Sequence, residues 1–343
     1  MKMKAALVTD VEKVSIEEIE RPVIKDDEVL IKVKTVGVCG SDLHLFRGTH
    51  AFRKPPAILG HEIAGEVVEI GKRVRNLKVG DRVTVEPQYG CGECEFCRQG
   101  LINLCTKKIV PGTAKWIGVF VEYFNAPEKT VYKLNDSVSY PMGTMIEPLA
   151  VAVRAFRRAT VKEKDCVVIL GSGTIGLLCL VVARQMGYKT IICTDTAQFN
   201  LDMALKHGAT LAINPLEVDV VEAVKKLTDG KGADLALVAA GANNILDQAS
   251  ACVRKRGEIG VIAMITEKIP FYSYQIVFNE QTMYGAMTYA TPDFKEAAEM
   301  INGGLDLSDF ITQTMDLEHT QEGLDVLSQK KENVVKVMIE LEN

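Results

Sequence analysis

The chain has 343 residues, 47% of them hydrophobic and 25% charged, and at about 150 residues per domain it is expected to form two domains, each with its own core. Its 40 Lys and Arg against 45 Asp and Glu leave a net charge of −5; without a basic footprint, neither nucleic acid nor a membrane is an expected partner. The opening residues meet charge too early for a secretory leader, and no apolar run approaches the roughly 18 residues that span a bilayer. A cytoplasmic protein is expected, its nine cysteines serving as thiols or metal ligands.

The first third reads as short β-branched strands cut by Gly and Pro, notably 29–36 and 62–70. Cys39-Gly-Ser41-Asp42-Leu-His44 follows the first of these, and Gly60-His61-Glu62 opens the second. Cys39, His61 and Glu62 offer a thiolate, an imidazole and a carboxylate, three zinc ligands that leave the fourth position open for water or substrate. Taken singly, Cys39 also reads as a small buried residue and His61 as a satisfied core histidine.

Cys91, Cys94, Cys97 and Cys105 follow within fifteen residues. Four soft thiolates with no open position suit a structural Zn²⁺, with an iron or iron–sulfur site as the chemical competitor. A helical connector is expected over 145–160, where Glu147 supplies a further carboxylate near the domain junction.

From about 150 to 265 the texture becomes alternating β and α. Strands at 167–170, 190–194, 211–213, 235–240 and 258–262 interleave with helices at 174–186, 198–207, 218–227 and 243–253, the signature of an α/β, doubly wound parallel sheet. Gly171-Ser-Gly173-Thr-Ile-Gly176 lies between the first strand and the first helix. There the glycines allow a tight turn, close approach of a pyrophosphate and close helix–strand packing, and the helix N-terminus faces the phosphates. Asp195, 19 residues past Gly176, ends the next strand; such an acid accepts hydrogen bonds from ribose hydroxyls and repels a 2′-phosphate. Residues 196–200 hold no Arg or Lys, so NAD is expected over NADP.

Helices at 292–302 and 320–328 precede a closing strand over 333–341 that is expected to rejoin the first domain. The expected division is a catalytic domain, 1–150 completed by 285–343, around a dinucleotide-binding domain, 151–284.

The run Gly60-His61-Glu62 through Gly65, Gly71 and Val74 resembles the zinc alcohol dehydrogenase pattern G-H-E-x2-G-x5-G-x2-V. Val38–His44, Val79–Val83, the four cysteines and the Gly171 turn follow in that family's order. The chain thus resembles the zinc-dependent medium-chain dehydrogenase/reductases over essentially its whole length, and Glu147-Pro-Leu-Ala-Val151 resembles their polyol branch, which includes sorbitol, xylitol and butanediol dehydrogenases. The resemblance implies a GroES-like β-rich catalytic domain, a Rossmann domain, two Zn²⁺ per chain, and NAD-linked hydride exchange between a secondary alcohol and its ketone. The substrate implied is a polyol, diol or sugar alcohol.

By the same resemblance, Cys39, His61 and Glu62 bind the catalytic zinc and Glu147 lies near it or bridges through water, which leaves open whether Glu62 or Glu147 is the direct ligand. Asp42 would orient His61. Ser41 would take the proton and His44 pass it to solvent. Gly171, Gly173, Ile175, Gly176 and Asp195 would hold the cofactor. Relatives are homodimers or homotetramers joined through the dinucleotide domain. Phe52, Trp116 and Val119 fall in segments that line the family's substrate cleft, and each reads equally well as core packing. Two departures bear on specificity: Asn200 stands where many NAD-linked relatives carry arginine, and Tyr284–Tyr289 lacks the arginine of sorbitol dehydrogenases, so strict sorbitol specificity is not expected. Two other readings are a threonine 3-dehydrogenase-like amino-alcohol dehydrogenase, disfavoured by Ser41 and the Glu147 segment, and a non-catalytic NAD-binding redox sensor.

Overall fold

In the first third of the chain, β-branched runs too short to bury themselves alone pair into sheets. The structure, a computed structural model, describes residues 1–50, 53–113, 115–329 and 333–341, so Phe52 lies outside the described residues. Two units emerge, Met1–Glu147 with Ala290–Asn343, and Pro148–Tyr289.

The first unit opens with β1 (Lys2–Asp10), β2 (Lys13–Glu20), β3 (Glu28–Val38), α1 (Gly40–Phe46), β4 (Ala57–Ile58) and β5 (Glu62–Ile70). It continues through β6 (Arg82–Val85), α2 (Glu95–Arg98), β7 (Tyr123–Pro127), β8 (Val131–Lys133) and α3 (Tyr140–Thr144). Helix α4 (Ile146–Arg158) then leads into the second unit. There β9 (Cys166–Leu170), α5 (Thr174–Gln185), β10 (Thr190–Thr194), α6 (Gln198–Lys206), β11 (Leu211–Ile213) and α7 (Val220–Leu227) are followed by β12 (Ala233–Val238), α8 (Ile245–Cys252), β13 (Val253–Val261), α9 (Tyr274–Phe278) and β14 (Thr282–Gly285). The chain returns to the first unit with α10 (Thr291–Asn302), β15 (Ile311–Asp316), α11 (Thr320–Gln329) and β16 (Lys336–Glu340).

The second unit is a parallel sheet in the order β11-β10-β9-β12-β13-β14. Its central strands are buried along their whole length, as strands covered by helices on both faces must be. Two expected boundaries move. Helix α7 starts at Val220 because the Asp219 carboxylate accepts from the amides of Val221 and Glu222 and so caps it. Strand β13 begins at Val253, directly after α8, and its pairing with β12 shifts register between Ala233 and Leu235.

In the first unit the order β15-β16-β3-β5-β6-β8 places the chain's last strand beside β3, the strand that leads into Cys39. Strand β3 is buried at nine of its eleven positions, which marks it as the centre of this core. Trp116 and Val119 belong to the same core. The indole is 4% exposed, stacks on Phe124 at 5.3 Å, and donates its Nε1 proton to the Asn125 carbonyl at 2.7 Å. These two residues pack the sheet interior rather than line a cleft, because the indole's polar end is satisfied by backbone inside the fold.

Glu86, just past β6, is 2% exposed and accepts hydrogen bonds from Thr291 Oγ1 at 3.0 Å and Tyr132 OH at 3.2 Å. Burial pushes its carboxyl up to about 7 despite those donors, with the Asp293 charge adding to the rise. The unfolded chain, whose glutamates titrate at about 4.3, gives up this proton first, so stability falls as pH rises between roughly 4.5 and 7. Glu86→Gln, neutral at every pH, is expected to remove that slope and to gain up to about 3 kcal/mol at pH 8. Melting temperatures at pH 5 and pH 8 check this; an unchanged slope in the variant would contradict it.

Candidate active site

Strand β3 ends at Val38, and Cys39 occupies the N-cap of α1. Asp42, in the first turn of α1, holds this corner together: Oδ2 accepts from the Cys39 amide at 3.0 Å and Oδ1 from the Gly60 amide at 3.1 Å. One buried carboxylate thus ties the loop that carries Cys39 to the loop that carries His61. Its distance to His61 Nδ1 is 3.8 Å, too long for a hydrogen bond. Asp42 therefore faces the imidazole through its charge rather than through a hydrogen bond, and grips the two backbones besides.

Cys39, His61 and Glu62 come together, each offering a ligand atom within 4.8 Å of the others. Glu147 is buried but falls outside this trio, near enough for its charge to act on His61. Glu62 is 0% exposed, and its Oε1 has no hydrogen-bond partner among the described residues. Such an orphaned buried carboxylate oxygen is costly unless a cation meets it. Burial lowers the pKa of His61, yet the Cys39 sulfur, Asp42 and Glu147 outweigh it and hold the ring well above the usual histidine range. A cation in the trio supplies the charge that the proton otherwise supplies, so the donor set fits a zinc ion with one position open. Ser41 lies on α1 two residues past Cys39, and His44 lies a turn further, its Nδ1 3.3 Å from Thr49 Oγ1.

Cys91, Cys94, Cys97 and Cys105 gather their sulfurs within 4.8 Å of one another. Cys91 Sγ and Cys97 Sγ are 3.9 Å apart, matching the spacing of about 3.8 Å that tetrahedral Zn–S bonds impose. Backbone amides of Glu93 and Cys94 draw the Cys91 thiol down to about 6, while burial pushes Cys97 up to about 11. This lobe fits a closed tetrahedral metal.

In the second unit, Gly171 takes a φ of +100°, and a Cβ there would meet Ala240 Cβ at 2.5 Å. A Cβ on Gly176 would lie 1.8 Å from the Gly171 carbonyl oxygen, whereas nothing stands within 4 Å of the corresponding point on Gly173. The turn is closed at its first and last glycines and open at the middle one, where a phosphate needs backbone access. Ile175 sits in the first turn of α5. The Asp195 carboxylate accepts from the amides of Ser172 and Ala197, both at 2.9 Å, which leaves further lone pairs for ribose hydroxyls.

Residues 25–136 match the alcohol dehydrogenase GroES-like domain and residues 174–303 the zinc-binding dehydrogenase domain. The chain is 37% identical to the sorbitol dehydrogenase of Bacillus subtilis (strain 168), over 98% of this chain and 97% of that one. Its fold superposes on 2R,3R-butanediol dehydrogenase from Bacillus subtilis with a TM-score of 0.91 at 32% identity, covering 99% of this chain and 100% of that one. A protein from Sinorhizobium meliloti 1021 described as a zinc-binding dehydrogenase, solved bound to NADP, gives a TM-score of 0.92 at 29% identity, covering 99% of each chain.

The chain belongs to the zinc-dependent medium-chain dehydrogenases. Within that family it is an alcohol or polyol dehydrogenase, built from the GroES-like and Rossmann-like domains that define the group. Two residues beside the Cys39–His61–Glu62 trio escaped the motifs. Lys336, 2% exposed on β16, makes an ion pair with Glu62 and donates to the Val38 carbonyl at 3.0 Å. Gly37 of β3 lies against both side chains. The readable signal for Lys336 was a lone cation inside the apolar closing strand.

Proposed function

We propose that the protein interconverts a secondary alcohol of a polyol or diol and the matching ketone, with NAD as hydride carrier and Zn²⁺ held by Cys39, His61 and Glu62. The observation that carries this reading is the three-ligand corner whose buried Glu62 Oε1 lacks a protein partner. Bound there, zinc would acidify the alcohol, and the nicotinamide would take its hydride. The protein's own groups manage the proton. Ser41 and His44, three residues apart on α1, share a helix face, so the hydroxyl accepts the substrate proton and the half-exposed imidazole hands it to water. Glu147 acts through its charge on His61 rather than as a direct ligand. The four-cysteine lobe holds a second, structural zinc.

Asp195 and the absence of Arg or Lys in 196–200 favour NAD. Asp195→Ala is expected to raise KM for NAD about tenfold with kcat little changed, and to narrow the preference over NADP. Steady-state kinetics with both cofactors test this, and a parent that uses NADP equally well would overturn the assignment. The missing arginine at 284–289 and the likeness to a butanediol dehydrogenase support a diol or less polar polyol over strict sorbitol use. We place the enzyme in the cytoplasm, where all nine cysteines, free in the structure, stay reduced.

A homodimer or homotetramer joined through the dinucleotide unit is supported by an exposed aromatic patch beside edge strand β14. Tyr272 stacks on Tyr274 at 5.7 Å and Tyr274 on Phe278 at 5.6 Å, and all three side chains are exposed.

A further inference from the structure

The central sheet of the first unit brings three strands to the metal corner in the order β16-β3-β5. Gly37 of β3 pairs across the sheet with Glu62 on one side and with Met338 on the other. Lys336, two residues from Met338, points to the same face of the sheet. Strands flanking a central one lie about 9.6 Å apart, and an ordinary side chain at position 37 would keep their groups from meeting. With glycine there, they meet over the bare backbone of β3. A Cβ at position 37 would fall 1.8 Å from Glu62 Oε2 and 2.9 Å from Lys336 Cε. The ammonium ion-pairs with Glu62 Oε2 and donates to the Val38 carbonyl; neither Glu62 oxygen makes a hydrogen bond among the described residues, and Oε1 has no ion pair either.

The two oxygens of Glu62 are therefore not equivalent. We infer that Lys336 is a positioning residue that engages one oxygen of Glu62, so that the carboxylate offers only the other to the metal and the substrate position stays open. The inference rests on the Cys39–His61–Glu62 metal reading. Two consequences follow from electrostatics and chelation. Without Lys336, both Glu62 oxygens turn to the metal, and a positive charge that opposes the cation is gone. The site then holds its metal more tightly and works worse, whereas a merely structural loss would weaken metal retention and activity together.

The test uses the full chain with zinc in the four-cysteine lobe and cobalt at the Cys39 site. Lys336→Met is expected to slow cobalt release to a chelator by about tenfold, within the range by which groups behind metal ligands tune a site. The cobalt visible bands should weaken as coordination rises from four towards five, and alcohol-dependent NAD reduction should fall. Lys336→Arg keeps the cation and should return the spectrum and the release rate towards those of the parent. In a Glu62→Gln background the Met substitution should change neither, and this comparison also decides the matter should the single variant, with its unpaired buried carboxylate, fail to fold.

Native or faster cobalt release with native bands in Lys336→Met, or an equal effect of the Met substitution in the Glu62→Gln background, would overturn the inference. A parent protein that takes up metal only in the four-cysteine lobe would instead overturn the underlying metal reading.

Discussion

Cys39→Ser is expected to lower alcohol-dependent NAD reduction by about a thousandfold, since a Lewis acid contributes several kilocalories and about 4 kcal/mol is three decades of rate. A serine hydroxyl stays protonated at neutral pH and cannot replace the thiolate as a soft, anionic ligand. With one of three protein ligands gone, metal content should drop from about two ions per chain to about one. The melting temperature should move little, because Cys39 is only half-buried and the Asp42 clasp uses its backbone amide, which serine retains. Turnover close to that of the parent in this variant would remove the catalytic metal from the account.

Cys97→Ser should produce the opposite pattern. The lobe around residues 91–105 has almost no core of its own: α2 buries none of its residues, and Cys91, Cys94 and Cys97 are only half-buried. Its order would then depend on the proposed structural metal, and zinc bound at such sites contributes apparent free energies of about 10–16 kcal/mol in isolated zinc-finger peptides. Loss of the fourth thiolate is expected to open the lobe, to expose 91–105 to limited proteolysis and to release about one metal ion per chain, with a smaller fall in kcat than Cys39→Ser causes. The pair separates a closed site that holds structure from an open one that does chemistry. Equal losses of activity without new cleavage would mean that the two sites are not distinct in role.

The features legible in the sequence are those whose partners are close in the chain. The strand–turn–helix at Gly171–Gly176 and the four cysteines within fifteen residues each announce a complete local geometry, and the structure gathers each set. The βα alternation likewise dictated a parallel sheet, because each crossover helix forces the next strand into parallel alignment. The corner that joins Cys39, His61 and Glu62 was legible only in part. Cys39 and His61 are brought together by Asp42 accepting hydrogen bonds from two backbones, a role that the side chain's identity does not disclose.

Lys336 lay beyond reach for a different reason. It sits far along the chain from Glu62 and is buried, where lysine almost never goes unless paired, and its pairing depends on the missing side chain of Gly37. Trp116 shows the converse limit. Its position suits a cleft wall and a core site equally, and the structure decides for the core: a carbonyl on the same unit satisfies its indole nitrogen.

The decisive measurement incubates the zinc-replete 343-residue protein with NAD and a panel of polyols, vicinal diols, simple secondary alcohols and threonine, while following NADH formation and identifying the product. Oxidation of at least one polyol or diol to its ketone, abolished by a strong chelator and restored by zinc, is the expected result. Turnover that survives metal removal, turnover confined to threonine, or none on any alcohol with either nicotinamide cofactor would contradict the account.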